Sequence, residues 1–182
     1  MKENIIEIVK FLLLIMVTVV PFRILVAEPY VVSGISMSPT LETGHYLIIN
    51  KFKHEFTGLE RGDLVVFTPP HDKGKTYIKR VVGLPGETIK IEDTQVFIKT
   101  KDSEEFVKIS EPYIKNPPRV DDETIIGEKQ YYVMGDNRDN SSDSRSWGVM
   151  DHSAIKGEPI MRLLPFKKIS FMPGHYDGYK ID

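Results

Sequence analysis

Tyr77-Ile78-Lys79-Arg80-Val81-Val82-Gly83, closing on the turn Leu84-Pro85-Gly86, reads as a β-strand apolar on both sides. Side chains alternate across a strand, so Tyr77, Lys79 and Val81 share one face and Ile78, Arg80 and Val82 the other. Each face carries a single cation. Burying an unpaired charge is costly. Two readings follow: either both cations snorkel from an edge or pair with carboxylates, or Arg80 is paired and Lys79 is held neutral by burial. The second reading supplies a general base. At neutral pH that role needs a lysine pKa brought from about 10.4 to about 7–8.

The same texture extends in both directions. Tyr30–Ile35, His45–Lys51, Asp63–Phe67, Thr76–Val82, Thr88–Ile91, Val96–Lys99, Glu105–Ile109 and Gln130–Met134 have strand character. Glu42-Thr43-Gly44, Arg61-Gly62-Asp63, Pro69-Pro70 and Asn116-Pro117-Pro118 punctuate them. Many short strands between Gly/Pro turns predict a mainly-β chain with a barrel or sandwich. Residues 88–127 are richer in charge and read as a small β insertion into a core of 28–87 and 128–170. Ser153–Lys156 is expected to start a helical turn, and 171–182 to be a loose tail.

Upstream of the β region lies an apolar run, Phe11 to Phe22. Alone it is too short for a bilayer, which needs about 17–25 residues. Extended over 5–27 it is long enough, and Glu7, Lys10 and Arg23 fall where pairing or snorkelling is feasible. A cleaved signal peptide would need an A-x-A-like site, and the run ends Ile24-Leu25-Val26-Ala27-Glu28. A retained transmembrane anchor over 5–27 is the expectation. The 182-residue chain, 41% hydrophobic with a net charge of −2, gives no signal for nucleic acid. With no cysteine it has no disulfide, thiolate metal site or thiol nucleophile.

A lysine base needs a hydroxyl to activate. Ser36-Met37-Ser38-Pro39-Thr40 offers two, and Gly34 favours Ser36 because glycine allows a close backbone approach to a substrate. Gly135-Asp136-Asn137-Arg138-Asp139-Asn140-Ser141-Ser142-Asp143-Ser144-Arg145 is dense in polar groups. As a calcium loop it fails at position six, Ser144, and position twelve, Met150. His45, His54, His71, His152 and His175 show no metal spacing, so no metal or cofactor is expected.

In this order, the serine box, the lysine strand and the eleven-residue polar loop resemble the bacterial type I signal peptidases, from the apolar N-terminus to about Pro165. The resemblance implies a 28–170 catalytic domain behind a single-pass anchor in the plasma membrane, on its extracytoplasmic side, acting on signal-peptide-bearing preproteins beside the lipid bilayer. It makes Ser36 the nucleophile and Lys79 the base. Ser141 would orient the lysine, Asp143 and Arg145 would form a supporting pair, and Asp136 would pair with Arg80. Gly34 stands where some members carry a hydroxyl residue as second oxyanion donor. Two rivals remain. A self-cleaving repressor domain of the LexA type would need a helix-turn-helix where this chain has its apolar run. A non-catalytic membrane-tethered β module gives no reason for the lysine.

Overall fold

The computed structural model describes residues 2–25 and 27–176, with side chains at Asn4, Ile6–Thr18 and 27–176. It begins with a helix, α1 (Lys2–Leu25). The strands that follow are β1 (Ala27–Val31), β2 (Tyr46–Asn50), β3 (Leu64–Phe67), β4 (Tyr77–Gly83), β5 (Thr88–Glu92), β6 (Gln95–Lys99), β7 (Val107–Lys108), β8 (Asp122–Ile125), β9 (Gln130–Met134), β10 (Met150–Asp151), β11 (Ile155–Leu164) and β12 (Ser170–Phe171). Two short helices interrupt them, α2 (Lys53–Thr57) and α3 (Ser144–Trp147). The expected mainly-β architecture is present, as two curled antiparallel sheets.

The larger sheet runs β1-β2-β11-β3-β4-β9-β10, with β12 on β11. The smaller runs β7-β6-β5-β8. β11 joins the larger sheet together. Its first residues pair with β3, Ile155 opposite Phe67 and Gly157 opposite Val66, while Glu158 to Leu164 pair with β2. The change of partner occurs at Gly157, where a Cβ would sit 2.2 Å from the Asn50 carbonyl oxygen. Only a glycine lets the two backbones cross so closely.

Sequence reasoning passed over β11 because Gly157 and Pro159 look like breakers. Here they mark a bend and a register shift instead. It also passed over β8, which is short and mostly polar. The helical turn expected from Ser153 is confined to His152–Ala154, and the chain turns extended at Ile155.

Three apolar clusters fill the interior. Val32, Met37, Leu41, Leu47, Ile49, Leu64 and Val66 form one, beneath the segment that carries Ser36. Leu59, Val65, Phe67, Val81, Tyr131, Val133 and Met150 form the second, behind β4. In the third, Ile89, Ile91, Val96 and Ile98 of the small sheet meet Val82, Tyr132 and Met134. The small sheet thus packs its apolar face on β4 and β9.

Residues 171–176 of the expected tail are docked. The Gly174 carbonyl accepts a hydrogen bond from Arg80 Nη1 at 2.6 Å, and His175 lies 3.2 Å from the Asp63 carboxylate. Burial of the Arg80 side chain creates the demand for that carbonyl. Residues 177–182 lie outside the described residues.

Among the described residues no helix is long and apolar enough to cross a membrane. The expected span 5–27 includes Ile5 and residues 19–26, whose side chains lie outside the described residues. Within α1 the described apolar side chains from Ile6 to Val17, Ile15 apart, are more than half exposed.

Candidate active site

Met37 fixes the serine segment. It is 1% exposed and packs in the first cluster, so the loop that carries it is pinned and Ser36 sits half-buried at its edge. The Leu41 amide donates to the Met37 carbonyl at 2.9 Å, closing a turn behind it. Gly34 takes a left-handed φ of +98°, a conformation open to glycine at little cost. Its N–H donates to Thr43 Oγ1 at 3.1 Å, and Thr43 donates back to the Gly34 carbonyl at 2.9 Å. That N–H is therefore committed. The glycine found in place of a hydroxyl residue shapes the loop rather than offering a donor.

Strand β4 brings Lys79 to this loop. Lys79 Nζ lies 2.8 Å from Ser36 Oγ and 3.1 Å from the Ile78 carbonyl oxygen, and stands 5.0 Å from the centre of the Tyr77 ring. The residue is 3% exposed. Burial pushes its pKa down to about 8, against an opposing pull from the carboxylates of Asp143 and Asp136. An apolar cleft of about 300 Å³ opens over the pair, between Tyr30–Ser36 on one side and Thr76–Lys79 on the other. Leu47 and Val66 line it, and Asn140 and Ser142 stand at its edge.

The neighbouring cation is resolved differently. Arg80 is 1% exposed and Asp136 fully buried. Arg80 Nε and Nη2 donate to the two Asp136 oxygens at 2.8 and 2.6 Å, a bidentate pair. Arg80 Nη1 donates to the Gly62 carbonyl at 2.8 Å as well as to Gly174, and the guanidinium stacks 4.0 Å from the Tyr113 ring. Thr40 donates to Asp136 Oδ2 at 2.5 Å, which links the serine turn to the same carboxylate. Removing one member of a buried pair strands the other, at about 3–5 kcal/mol. Asp136→Ala is expected to lower unfolding free energy by that amount, read as a fall in the urea midpoint. A loss under about 1 kcal/mol would mean that solvent reaches Arg80.

Segment 135–145 holds the serine loop from below. The Asn137 amide donates to the Ser36 carbonyl at 3.0 Å, and Asn137 Nδ2 donates to the Ile35 carbonyl at 3.2 Å. Asp143 receives Arg145 Nε and Nη2, each at 2.8 Å, and the Gly135 amide at 3.0 Å. The same aspartate caps α3 through the Arg145 amide. Ser141 is brought to this centre, yet its hydroxyl is buried without a hydrogen-bond partner among the described residues. The expected Ser141–Lys79 hydrogen bond is not formed in this structure. Lys79 Nζ instead uses Ser36 and the Ile78 carbonyl.

Several contributors went unnoticed in the sequence. Arg138 is buried and pairs with Glu111, bringing the insertion against the loop. Gly135 is the sharpest case. A Cβ there would lie 2.2 Å from Ser141 Oγ and 2.5 Å from the Ser36 carbonyl oxygen. The absence of a side chain is what lets those groups converge. Its only sequence signal was its place at the head of the polar box. Gly135→Ala should lower kcat by about 10²-fold or more by displacing the Ser36 segment, with the circular dichroism spectrum retained. Unchanged kcat would show the loop yielding without consequence.

The chain matches the family described as signal peptidase, peptidase S26, over residues 5–164. It is 36% identical over 172 residues to a probable signal peptidase I-1 of Synechocystis sp., covering 90% of this chain and 83% of that one. It is 33% identical over 181 residues to a signal peptidase I of Bacillus licheniformis, covering 92% and 93%. A signal peptidase I P of Bacillus subtilis subsp. natto is 35% identical over 180 residues, covering 92% and 94%. By class the chain is a serine peptidase, a hydrolase. It belongs to the signal peptidase family, peptidase S26.

Proposed function

We propose that this chain is a membrane-anchored endopeptidase that removes N-terminal signal peptides from exported preproteins, with Ser36 as nucleophile and Lys79 as base. The observation that carries the reading is the 2.8 Å contact between Ser36 Oγ and a buried Lys79 Nζ with a pKa of about 8. A neutral amine there accepts the Ser36 proton as the oxygen attacks the scissile carbonyl, then returns it to the leaving amine. Water hydrolyses the acyl-enzyme. The Ser36 N–H is the first oxyanion donor, and with the Gly34 N–H engaged by Thr43 the second comes from elsewhere. Arg80 and Asp136, Asp143 and Arg145 hold the base strand and the loop in place.

The cleft suits an extended substrate laid between Tyr30–Ser36 and Thr76–Lys79. Main-chain hydrogen bonds would give affinity, and alternate side chains would enter its shallow apolar pockets. Small residues at the first and third positions before the cut fit that space. For the anchor, α1 has 24 residues, about 36 Å at 1.5 Å each, and Phe11–Val17 is apolar all round it. It would hold the catalytic domain at the extracytoplasmic surface, where a preprotein's apolar segment is also held, raising effective concentration.

The test is incubation of the full chain in detergent with a precursor bearing a signal peptide. Cleavage at one site after a small residue is expected. An intact precursor across several such substrates would overturn the proposal. Ser141→Ala should lower kcat by roughly 10²-fold, because the hydroxyl orients Lys79 once substrate closes the site. Wild-type turnover would reduce Ser141 to a packing residue.

A further inference from the structure

Away from the cleft, helix α2 and the turn His152–Ala154 bring the adjacent His54 and Glu55 together with a histidine far along the chain. Ligand atoms of His54, Glu55 and His152 all lie within 4.8 Å of one another. His54 Nε2 is 3.5 Å from one Glu55 oxygen, and His152 Nε2 is 3.8 Å from the other. Adjacent ligands of a tetrahedral zinc ion, at about 2.0–2.1 Å from the metal, sit about 3.3 Å apart. A shift of about 1 Å in these side chains would close the set.

We propose that His54, Glu55 and His152 form a site for a divalent transition-metal cation, with zinc the best fit, which clamps α2 to the turn before β11.

The chemistry of the donors selects the class. Two imidazoles and one carboxylate suit zinc, copper or nickel, whereas calcium and magnesium prefer oxygen alone. The two rings are held in place. His54 is 3% exposed, and one of its nitrogens, Nδ1, is buried without a partner among the described residues. The His152 ring packs 5.5 Å from that of His54 and 6.1 Å from that of Tyr131. Glu55 is more than half exposed, so its carboxylate can move to the metal. The depression beside His54 and Glu55, about 540 Å³, is also lined by Lys51 and Lys156, which oppose a cation. Each is engaged nearby, Lys51 3.2 Å from Glu28 and Lys156 donating to Thr76 Oγ1 at 2.6 Å. With three protein ligands, and Glu55 more than half exposed, a water would complete a tetrahedron.

The site does not touch Ser36 or Lys79, so the clamp is distinct from the proposed chemistry. Its role is to fasten α2, a five-residue helix with one buried side chain, to the rest of the domain.

The experiment uses the full chain in detergent, stripped with chelator and titrated with zinc chloride by calorimetry and with cobalt chloride by visible absorption. One zinc per chain and a tetrahedral cobalt band are expected, with the thermal midpoint rising as free zinc rises. His152→Ala and Glu55→Gln should each weaken binding by about 100-fold or more, while His71→Ala, at a histidine stacked on Trp147, should bind as wild type. Glu55 is a surface residue, so its variant is expected to fold. Zinc bound equally by the Glu55→Gln and His152→Ala variants, or no stoichiometric binding by the wild type, would overturn the proposal.

Discussion

Ser36→Ala should abolish precursor cleavage, lowering kcat/KM by at least about 10⁴-fold, and leave the fold intact. The segment is pinned by Met37 in the core and by Asn137 on the Ser36 carbonyl, and neither contact involves the hydroxyl. Among the described residues the hydroxyl has one hydrogen bond to lose, that with Lys79. Ser38→Ala is the matched control. Ser38 sits two residues on, its amide donating to the Ile35 carbonyl at 3.0 Å, and Lys79 Nζ is hydrogen-bonded to Ser36. Its variant should keep activity within about tenfold of wild type, since it misplaces no reacting group. The assay is cleavage of one precursor by both variants. An inactive Ser38 variant beside an active Ser36 variant would reverse the assignment.

Lys79 gives the second large effect, and it shows in activity and in stability. Lys79→Arg should be inactive, because a guanidinium does not release its proton. In the wild type, kcat/KM should rise tenfold per pH unit on the acid side and level off near an apparent pKa of about 8. Stability also rises with pH, but in a higher window. Below about pH 8 the folded protein carries a desolvated ammonium. Between about 8 and the ordinary lysine value of 10.5 the unfolded chain binds more protons than the folded one, so this contribution grows more favourable as pH rises. The difference corresponds to roughly 3 kcal/mol. Lys79→Met removes the buried charge at similar length. It should be more stable than wild type at pH 7 by up to about 3 kcal/mol, with the gap closing above about pH 10.5. Urea unfolding of both proteins at pH 7 and pH 10.5 measures it. A gap of the same size at both values would show that packing, not charge, separates them.

Legibility in the sequence followed the range of the interaction. Lys79 and Arg80 stood out because alternation along one strand is local, and a cation on an apolar face is visible without a partner. That Arg80 meets Asp136 came from the family resemblance, and the coordinates give the pair its geometry. Gly34 was noticed for a close approach to substrate, and the structure adds a second reason. Its glycine answers a left-handed turn closed by Thr43, and turn handedness does not show in composition. Gly135 and the Arg138–Glu111 pair were missed because each depends on segments far apart in the chain. β11 was missed because its Gly157 and Pro159, read locally, break a strand, whereas the long-range crossing with β2 requires that bend.

Strand β11 also sets an order of assembly. β2 and β3 are neighbours in sequence, yet each awaits pairing with a strand made near the end of the chain. The same holds for the Gly174 carbonyl that receives Arg80, on the strand that presents Lys79. Contacts between distant segments form only once both ends exist. The segments that carry Ser36 and Lys79 therefore reach their final sheet only when β11 joins β2 to β3. The catalytic fold is thus closed from its far side, by a strand that ties two earlier ones together.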